Sequence, residues 1–246
     1  MLNQETIQKL REMKMSVFAE ELNSQFKTRS FDSMSFEDRI GLLVDSEYMR
    51  RKNNKIKSLK KKSGLDVLNA CVEDIEYHSD RELDKNLITK LSTCNYINDQ
   101  HNIILMGATG SGKSWIANAL GNQACRKEYT VKYFRLPDLL VELEMARLVH
   151  SYQDFIKKIL KVDLLILDEW LLVTLNEIQT RDLLEIIDIR QRNGAIVFCS
   201  QFPIEEWHIK LNQETIADAI LDRIVHNSYQ ITIAGNDSMR KRKSLI

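Results

Sequence analysis

Residues 107–114 read Gly-Ala-Thr-Gly-Ser-Gly-Lys-Ser and follow directly on the apolar run Ile103-Ile104-Leu105-Met106. Glycines without Cβ atoms let consecutive backbone N–H groups converge on one anion, and a helix starting at the end of the loop adds its positive N-terminal dipole. The pattern GxxxxGK[ST], set between a strand and a helix, is that of a phosphate-binding loop. Gly107, Ala108, Thr109, Gly110, Ser111 and Gly112 would wrap the phosphates. Lys113 would reach the β and γ phosphates, and the Ser114 hydroxyl would ligate Mg²⁺.

Such a loop demands a βαβ surrounding, and from residue 102 the chain supplies one. Short apolar runs at 103–106, 131–134, 164–167, 195–198 and 229–233 alternate with amphipathic stretches at about 113–126, 137–160 with a break near His150, 176–192 and 213–226. Four of the five runs are nearly continuous in apolar residues, as strands covered on both faces should be. Before residue 102 the period is helical. Ile7, Leu10, Met13 and Val17 share one spacing, Phe36, Ile40, Leu43 and Val44 another, and Leu83–Leu91 makes a short third segment. Ser35 with Asp38 resembles a capping box with Asp in place of Glu, which starts the second helix. The expected division is a helical domain over 1–95 and an α/β domain over 96–246.

Only 8 glycines and 2 prolines among 246 residues agree with long helices and argue against a turn-rich all-β chain. The sequence has no run of 18 apolar residues and its first residues lack an apolar leader core, so a cytoplasmic protein without a membrane partner is expected. Cys71, Cys94, Cys125 and Cys199 form no CxxC pair and read as reduced thiols. His150, His208 and His226 have no metal-ligand spacing, Trp170 and Trp207 read as core or interface, and Met13, Met15 and Met34 read as packing.

The run Leu164–Leu167 ends in Asp168-Glu169, and a buried strand has little reason to carry charge inward. Asp168 is placed to hold the Mg²⁺ that bridges the β and γ phosphates, and Glu169 to polarise an attacking water, which favours hydrolysis over transfer to a bound acceptor. After Ala195–Phe198, either Ser200 or Gln201 is a candidate to contact the γ phosphate or the water. In the amphipathic stretch Ala217–Val225, Arg223 is open to three roles: snorkelling to solvent, pairing with Asp222, or completing a neighbouring subunit's nucleotide site.

The net charge is zero, 35 basic against 35 acidic residues, yet the distribution is uneven. Arg50, Arg51, Lys52, Lys55, Lys57, Lys60, Lys61 and Lys62 fall within thirteen residues that contain no acid, and Arg240–Lys243 is a second basic stretch. Either is a solvated surface unless a polyanion partner is independently implied.

Several phrases carry more than a generic phosphate loop requires: VKYFRLPDLL, LLILDEW, SQFP followed by EEWH, TIADAILDRIVHNSY and SMRKRK. With IQKLREMKMSVFAEEL, SFEDRIGLLVDSE and MGATGSGKS they make the chain resemble the IstB-like ATPases along nearly its whole length. These are helper proteins of insertion-sequence transposition, related to DnaC-type helicase loaders in the AAA+ superfamily. The resemblance implies an AAA+ P-loop NTPase with a five-stranded parallel sheet in the order 5-1-4-3-2 and a small all-helical N-terminal domain. It implies Gly107–Ser114 as Walker A, Asp168 and Glu169 as Walker B, Ser200-Gln201 as the sensor 1 region and Arg223 as an arginine finger acting in trans. It further implies ATP and Mg²⁺ as cofactors, homo-oligomers joined through the ATP sites, assembly on double-stranded DNA, and recruitment of a partner transposase. The helical domain would contact DNA or transposase through the basic run, without sequence preference. Ser238 and Arg240 match the family's terminal SMR phrase. Leu171 departs from the pattern by replacing the small residue usual after DEW, and Ser114 stands where Thr is commoner. A replicative-helicase loader and a non-hydrolysing nucleotide scaffold are the alternatives, the second opposed by the intact Glu169.

Overall fold

A computed structural model describes residues 2–235 and residue 239. Ser238, Arg240 and the terminal basic stretch lie outside the described residues. In chain order the elements are α1 (Leu2–Glu12), α2 (Ser16–Lys27), α3 (Phe36–Ser63), α4 (Lys85–Ser92), α5 (Asn95–Asn98), β1 (Asn102–Gly107), α6 (Lys113–Arg126), β2 (Val131–Arg135), α7 (Leu136–Leu148), α8 (Tyr152–Leu160), β3 (Leu164–Trp170), α9 (Glu177–Arg190), β4 (Ala195–Ser200), α10 (Ile204–Leu211), α11 (Glu214–Val225) and β5 (Ser228–Ile233).

Two compact units divide the chain at Ser58 and Leu59. In the first, α1, α2 and the start of α3 close on Ile7, Ala19 and Leu43. The Ser35 hydroxyl accepts the Asp38 N–H at 3.1 Å and so begins α3. Inside this unit the buried Glu47 carboxylate accepts from Arg50, from Arg51 at 2.8 Å and from the Phe18 N–H at 3.4 Å. Met13 does not pack as expected. It sits in the turn after α1 and is 65% exposed.

The second unit is built on a parallel sheet in the order β2-β3-β4-β1-β5, the order the family resemblance implies. Alternate residues of each central strand serve opposite faces. Ile103, Leu105, Ile166, Val197 and Cys199 pack under α6, whereas Ile104, Leu165, Leu167, Ile196 and Phe198 pack under α7–α11. Both faces are therefore dry, which is why the strands read as unbroken apolar runs. The break expected near His150 separates α7 from α8, with His150 in the left-handed region at φ 56°. Trp170 and Trp207 are fully buried and meet edge to face at 5.7 Å.

The sheet unit begins well before residue 96, where the sequence suggested a boundary. Leu65, Ile75, Ile88 and Leu91 all enter the core on the α6 face. Asn118 and Asn122 of α6 reach across to this segment: Asn118 Oδ1 accepts the Val67 N–H at 3.1 Å, and Asn122 Nδ2 donates to the Val67 and Ala70 carbonyls at 2.9 and 3.1 Å. Both Asn side chains are fully buried, so these bonds fix residues 67–70 to the helix that follows the phosphate loop. Among the described residues no helix is long and apolar enough to cross a membrane.

Candidate active site

The 107–114 loop joins β1 to α6 at the carboxyl edge of the sheet, where open α/β folds place their ligands. Gly107 has φ 153°, and a Cβ there would come within 2.6 Å of the Ile233 carbonyl and 2.9 Å of Ser111 Oγ. Gly112 has φ 98° and caps α6 in the left-handed region that disfavours side chains. Lys113 is 7% exposed, and its Nζ donates to the Gly107 and Ala108 carbonyls at 2.7 and 2.8 Å. Burial pushes this ammonium below its ordinary range, while the nearby Cys199 and Asp168 pull the other way. Ser111 Oγ is buried and has no hydrogen-bond partner among the described residues. A glycine cradle, a buried cation and an unsatisfied hydroxyl in one loop suit an anion with several oxygens.

A cavity of about 260 Å³ opens beside the loop, with Lys113 and Trp115 on one side and Val67, Asp74, Glu76 and Arg81 on the other. Arg81, 5% exposed, donates to the Ser111 carbonyl at 2.9 Å and to the Glu76 carbonyl at 2.5 Å. It thereby ties the segment before α4 to the loop. Nothing in the motif pointed to Arg81 or Trp115; only the fold brings the 67–81 segment to the phosphate loop.

Asp168 and Glu169 occupy a bulge of β3, since the pairing with β4 shifts register between Leu167 and Trp170. The bulge turns the two carboxylates apart, a common device beside reactive groups. Asp168 is 5% exposed, its Oδ1 accepting the Glu169 N–H at 2.8 Å and its Oδ2 the Tyr133 hydroxyl at 2.7 Å. Burial and Asp168 together hold the Tyr133 phenol above its usual range, so it stays a proton donor. Glu169 sits at φ 55° and accepts from Arg135 Nη2 at 2.6 Å. Leu171 follows at φ 54°, fully buried. A left-handed backbone is the conformation that glycine adopts at least cost, so a leucine here is carried against its own preference.

Of the two candidates at the end of β4, Gln201 reaches the loop, its Oε1 accepting the Thr109 hydroxyl at 2.7 Å. Ser200 does not face it. Its fully buried hydroxyl donates to the Trp170 carbonyl at 3.2 Å and accepts the Phe202 N–H at 3.1 Å, stitching β3 to β4. Arg223 pairs with Asp188 of α9 at 2.9 Å and with the Ala219 carbonyl at 2.8 Å, whereas Asp222 lies toward His226.

The basic run is not uniform. Arg50 and Arg51 are committed to Glu47, and both donate to the Lys14 carbonyl. Lys60 donates to the Leu68 carbonyl at 3.2 Å and, with Lys52, is half-buried, while Lys55, Lys57, Lys61 and Lys62 are exposed. Among the described residues no cluster of His, Cys, Asp and Glu forms a metal cage. A metal held by Ser114 and Asp168 would therefore need the phosphates as further ligands, as Mg²⁺ usually does.

A sequence profile described as IstB-like ATP binding protein matches residues 8–246. The chain is 38% identical over 203 residues, 82% of it and 88% of the relative, to a protein of Pseudomonas fluorescens named as the ATP-binding protein of insertion sequence IS1162. It is 35% identical over 243 residues, 99% of both chains, to a protein of Sinorhizobium fredii named as an insertion-sequence ATP-binding protein. Among solved structures it resembles AMPPCP-bound DnaA from Aquifex aeolicus, with a TM-score of 0.60 and 19% identity over 74% of this chain and 54% of that one, about half the DnaA length. It also resembles the DnaC helicase loader, with a TM-score of 0.53 and 18% identity over 67% of this chain and 97% of that one. These structural likenesses show a common fold.

Proposed function

The chain belongs to the IstB-like ATP-binding family of insertion sequences, and from that premise we propose that it is an ATP-driven regulator of transposition. In this role it assembles on double-stranded DNA as a homo-oligomer, remodels the target, recruits and stimulates a transposase, and resets by hydrolysing ATP. One observation carries the hydrolytic part. The phosphate loop, the buried Asp168, the bulged Glu169 and the Gln201 contact to Thr109 converge at one edge of the sheet.

The labour divides among this chain's residues. Backbone N–H groups of 107–112 and the Lys113 ammonium hold the phosphates, and the exchange of its two carbonyl partners for phosphate oxygens lets Lys113 follow the transferred group. Ser114 and Asp168 would hold Mg²⁺, which supplies charge neutralisation between the β and γ phosphates. Glu169 orients a water and takes its proton once Arg135 releases it. Gln201 reports through Thr109 on the occupancy of the loop. Val67 and Trp115 offer the base an apolar wall, and Asp74 and Glu76 offer the ribose hydroxyls acceptors. Arg223, from a neighbouring subunit, would offset charge developing on the γ phosphoryl group.

The test is Glu169→Gln with ATP and duplex DNA, followed by light scattering and by capture of partners. A persistent DNA-bound assembly that retains the transposase of its own insertion sequence is expected. Undiminished ATP turnover in this variant would remove Glu169 from its role. Capture of a replicative helicase in place of the transposase would turn the reading to a loader.

A further inference from the structure

Asp168 is held by two donors from different strands, and one of them is not part of any nucleotide motif. The Tyr133 hydroxyl, on β2, donates to Asp168 Oδ2 at 2.7 Å, while Oδ1 takes the Glu169 N–H at 2.8 Å. Both side chains are nearly enclosed, Tyr133 at 6% and Asp168 at 5% exposure. The ring of Tyr133 packs in the apolar layer under α6, with Leu65 and Ile166, where a phenylalanine ring would fit as well. The hydroxyl is thus the one polar atom in an otherwise apolar contact, and burying it there is favourable only because it finds an acceptor.

A carboxylate has about four lone-pair sites. With the Tyr133 hydroxyl on one oxygen, the Glu169 N–H on the other and the Cys199 thiol as a weaker third donor, Asp168 is restrained about its terminal torsion, yet it keeps lone-pair capacity for a cation or a cation-bound water. Partners of this kind behind a ligating carboxylate set metal affinity by about 10- to 100-fold. We propose that Tyr133 is a positioning residue that presents Asp168 to the magnesium of the bound nucleotide, an inference that rests on the ATP-and-magnesium reading above. Two neighbours bear on it. Asp66, exposed in the segment after α3, also faces the Tyr133 hydroxyl and is a rival acceptor for its single proton. The fully buried Cys199 thiol lies beside Asp168 from the β4 side.

The experiment reads nucleotide binding, not turnover. The full chain is titrated with Mg²⁺ at fixed N-methylanthraniloyl-ATP, and nucleotide affinity is measured separately in EDTA. In Tyr133→Phe the Mg²⁺ midpoint is expected to rise about tenfold, with EDTA affinity and melting temperature unchanged. Asp66→Asn should leave the midpoint at the wild-type value. Asp168→Asn should raise it further, and adding Tyr133→Phe to that variant should change nothing more. A Tyr133→Phe midpoint within about twofold of wild type, while Asp168→Asn shifts it, overturns the proposal. A Tyr133→Phe shift that persists in the Asp168→Asn background overturns it as well, because the effect would then not pass through Asp168. If Asp168→Asn itself leaves the midpoint in place, the metal reading of Asp168 falls instead.

Discussion

Arg135 Nη2 meets Glu169 Oε1 at 2.6 Å across the carboxyl ends of β2 and β3, so the carboxylate proposed to activate water is paired with a cation from the neighbouring strand. Arg135 stands directly opposite Asp168 in the parallel register, which leaves Glu169, one residue on and turned by the bulge, within reach of the guanidinium. The pair fixes the direction in which the Glu169 carboxylate points, so it restrains the glutamate from turning toward a water.

Arg135→Ala should therefore raise ATP turnover in the absence of DNA by several-fold, with ATP affinity little changed. Solvent screens an exposed pair of this kind, so the gain is a matter of a few-fold and not of orders of magnitude. Steady-state phosphate release checks it, and an unchanged or lower basal rate would show that the pair does not restrain Glu169.

Arg223 pairs within its own chain through Asp188. If it acts on a neighbour's nucleotide, Arg223→Ala should lower turnover about 10³-fold in the assembled state and leave the rate of dilute, unassembled protein alone. Turnover measured across a protein dilution series separates the two; equal losses at both ends would make the residue structural.

Replacing Lys55, Lys57, Lys61 and Lys62 with alanine should weaken DNA binding for all sequences and reduce the log–log salt slope by about one for each phosphate no longer neutralised. Arg50→Ala and Arg51→Ala should leave that slope alone, because both guanidinium groups are occupied by Glu47 and the Lys14 carbonyl. Titrations across a series of salt concentrations decide it.

Glu47 gives the helical unit a pH dependence. Hydrogen bonding from Arg50, opposed by burial and reinforced by Arg51 and the Phe18 N–H, lowers its carboxyl from 4.5 to about 2. Because the folded value is the depressed one, the stabilisation is present above pH 4.5 and is lost as pH falls toward about 2. Protection of α2 and α3 in the full chain, followed by hydrogen exchange corrected for intrinsic rates, should fall over that window. In Glu47→Gln it should be low and flat; a Gln variant that still falls with pH would assign the transition elsewhere.

How much of this was legible in the sequence varied with how local each cause is. The phosphate loop, the strand before it and the helix after it are dictated by adjacent residues, and α6 runs over Lys113–Arg126, where the spacing placed it. All five strands were visible, four of them because burial on both faces writes itself as continuous apolar runs. The bulge at Asp168-Glu169 was not, since it depends on register against β4. Nor was the membership of residues 59–95 in the sheet unit, because Leu65 and Ile75 enter the core singly and the helical spacing of 83–91 does not say which core it joins. The choice between Ser200 and Gln201 turned on which side of β4's end each side chain faces. Helix α10, Ile204–Leu211, escaped notice because it has only two turns after Pro203, although Ile204, Trp207 and Leu211 stand at helical spacing.

Leu171 is fully buried at a left-handed φ of 54°. A change to glycine would relieve about 1–2 kcal/mol of backbone cost yet remove a filled side chain, a loss of about 2–5 kcal/mol. The change therefore runs level or uphill, because the packing of the side chain offsets the backbone cost. The leucine thus works as an anchor: the packing of one side chain holds in place a backbone turn that the residue's own conformational preference opposes, just beyond the acidic pair.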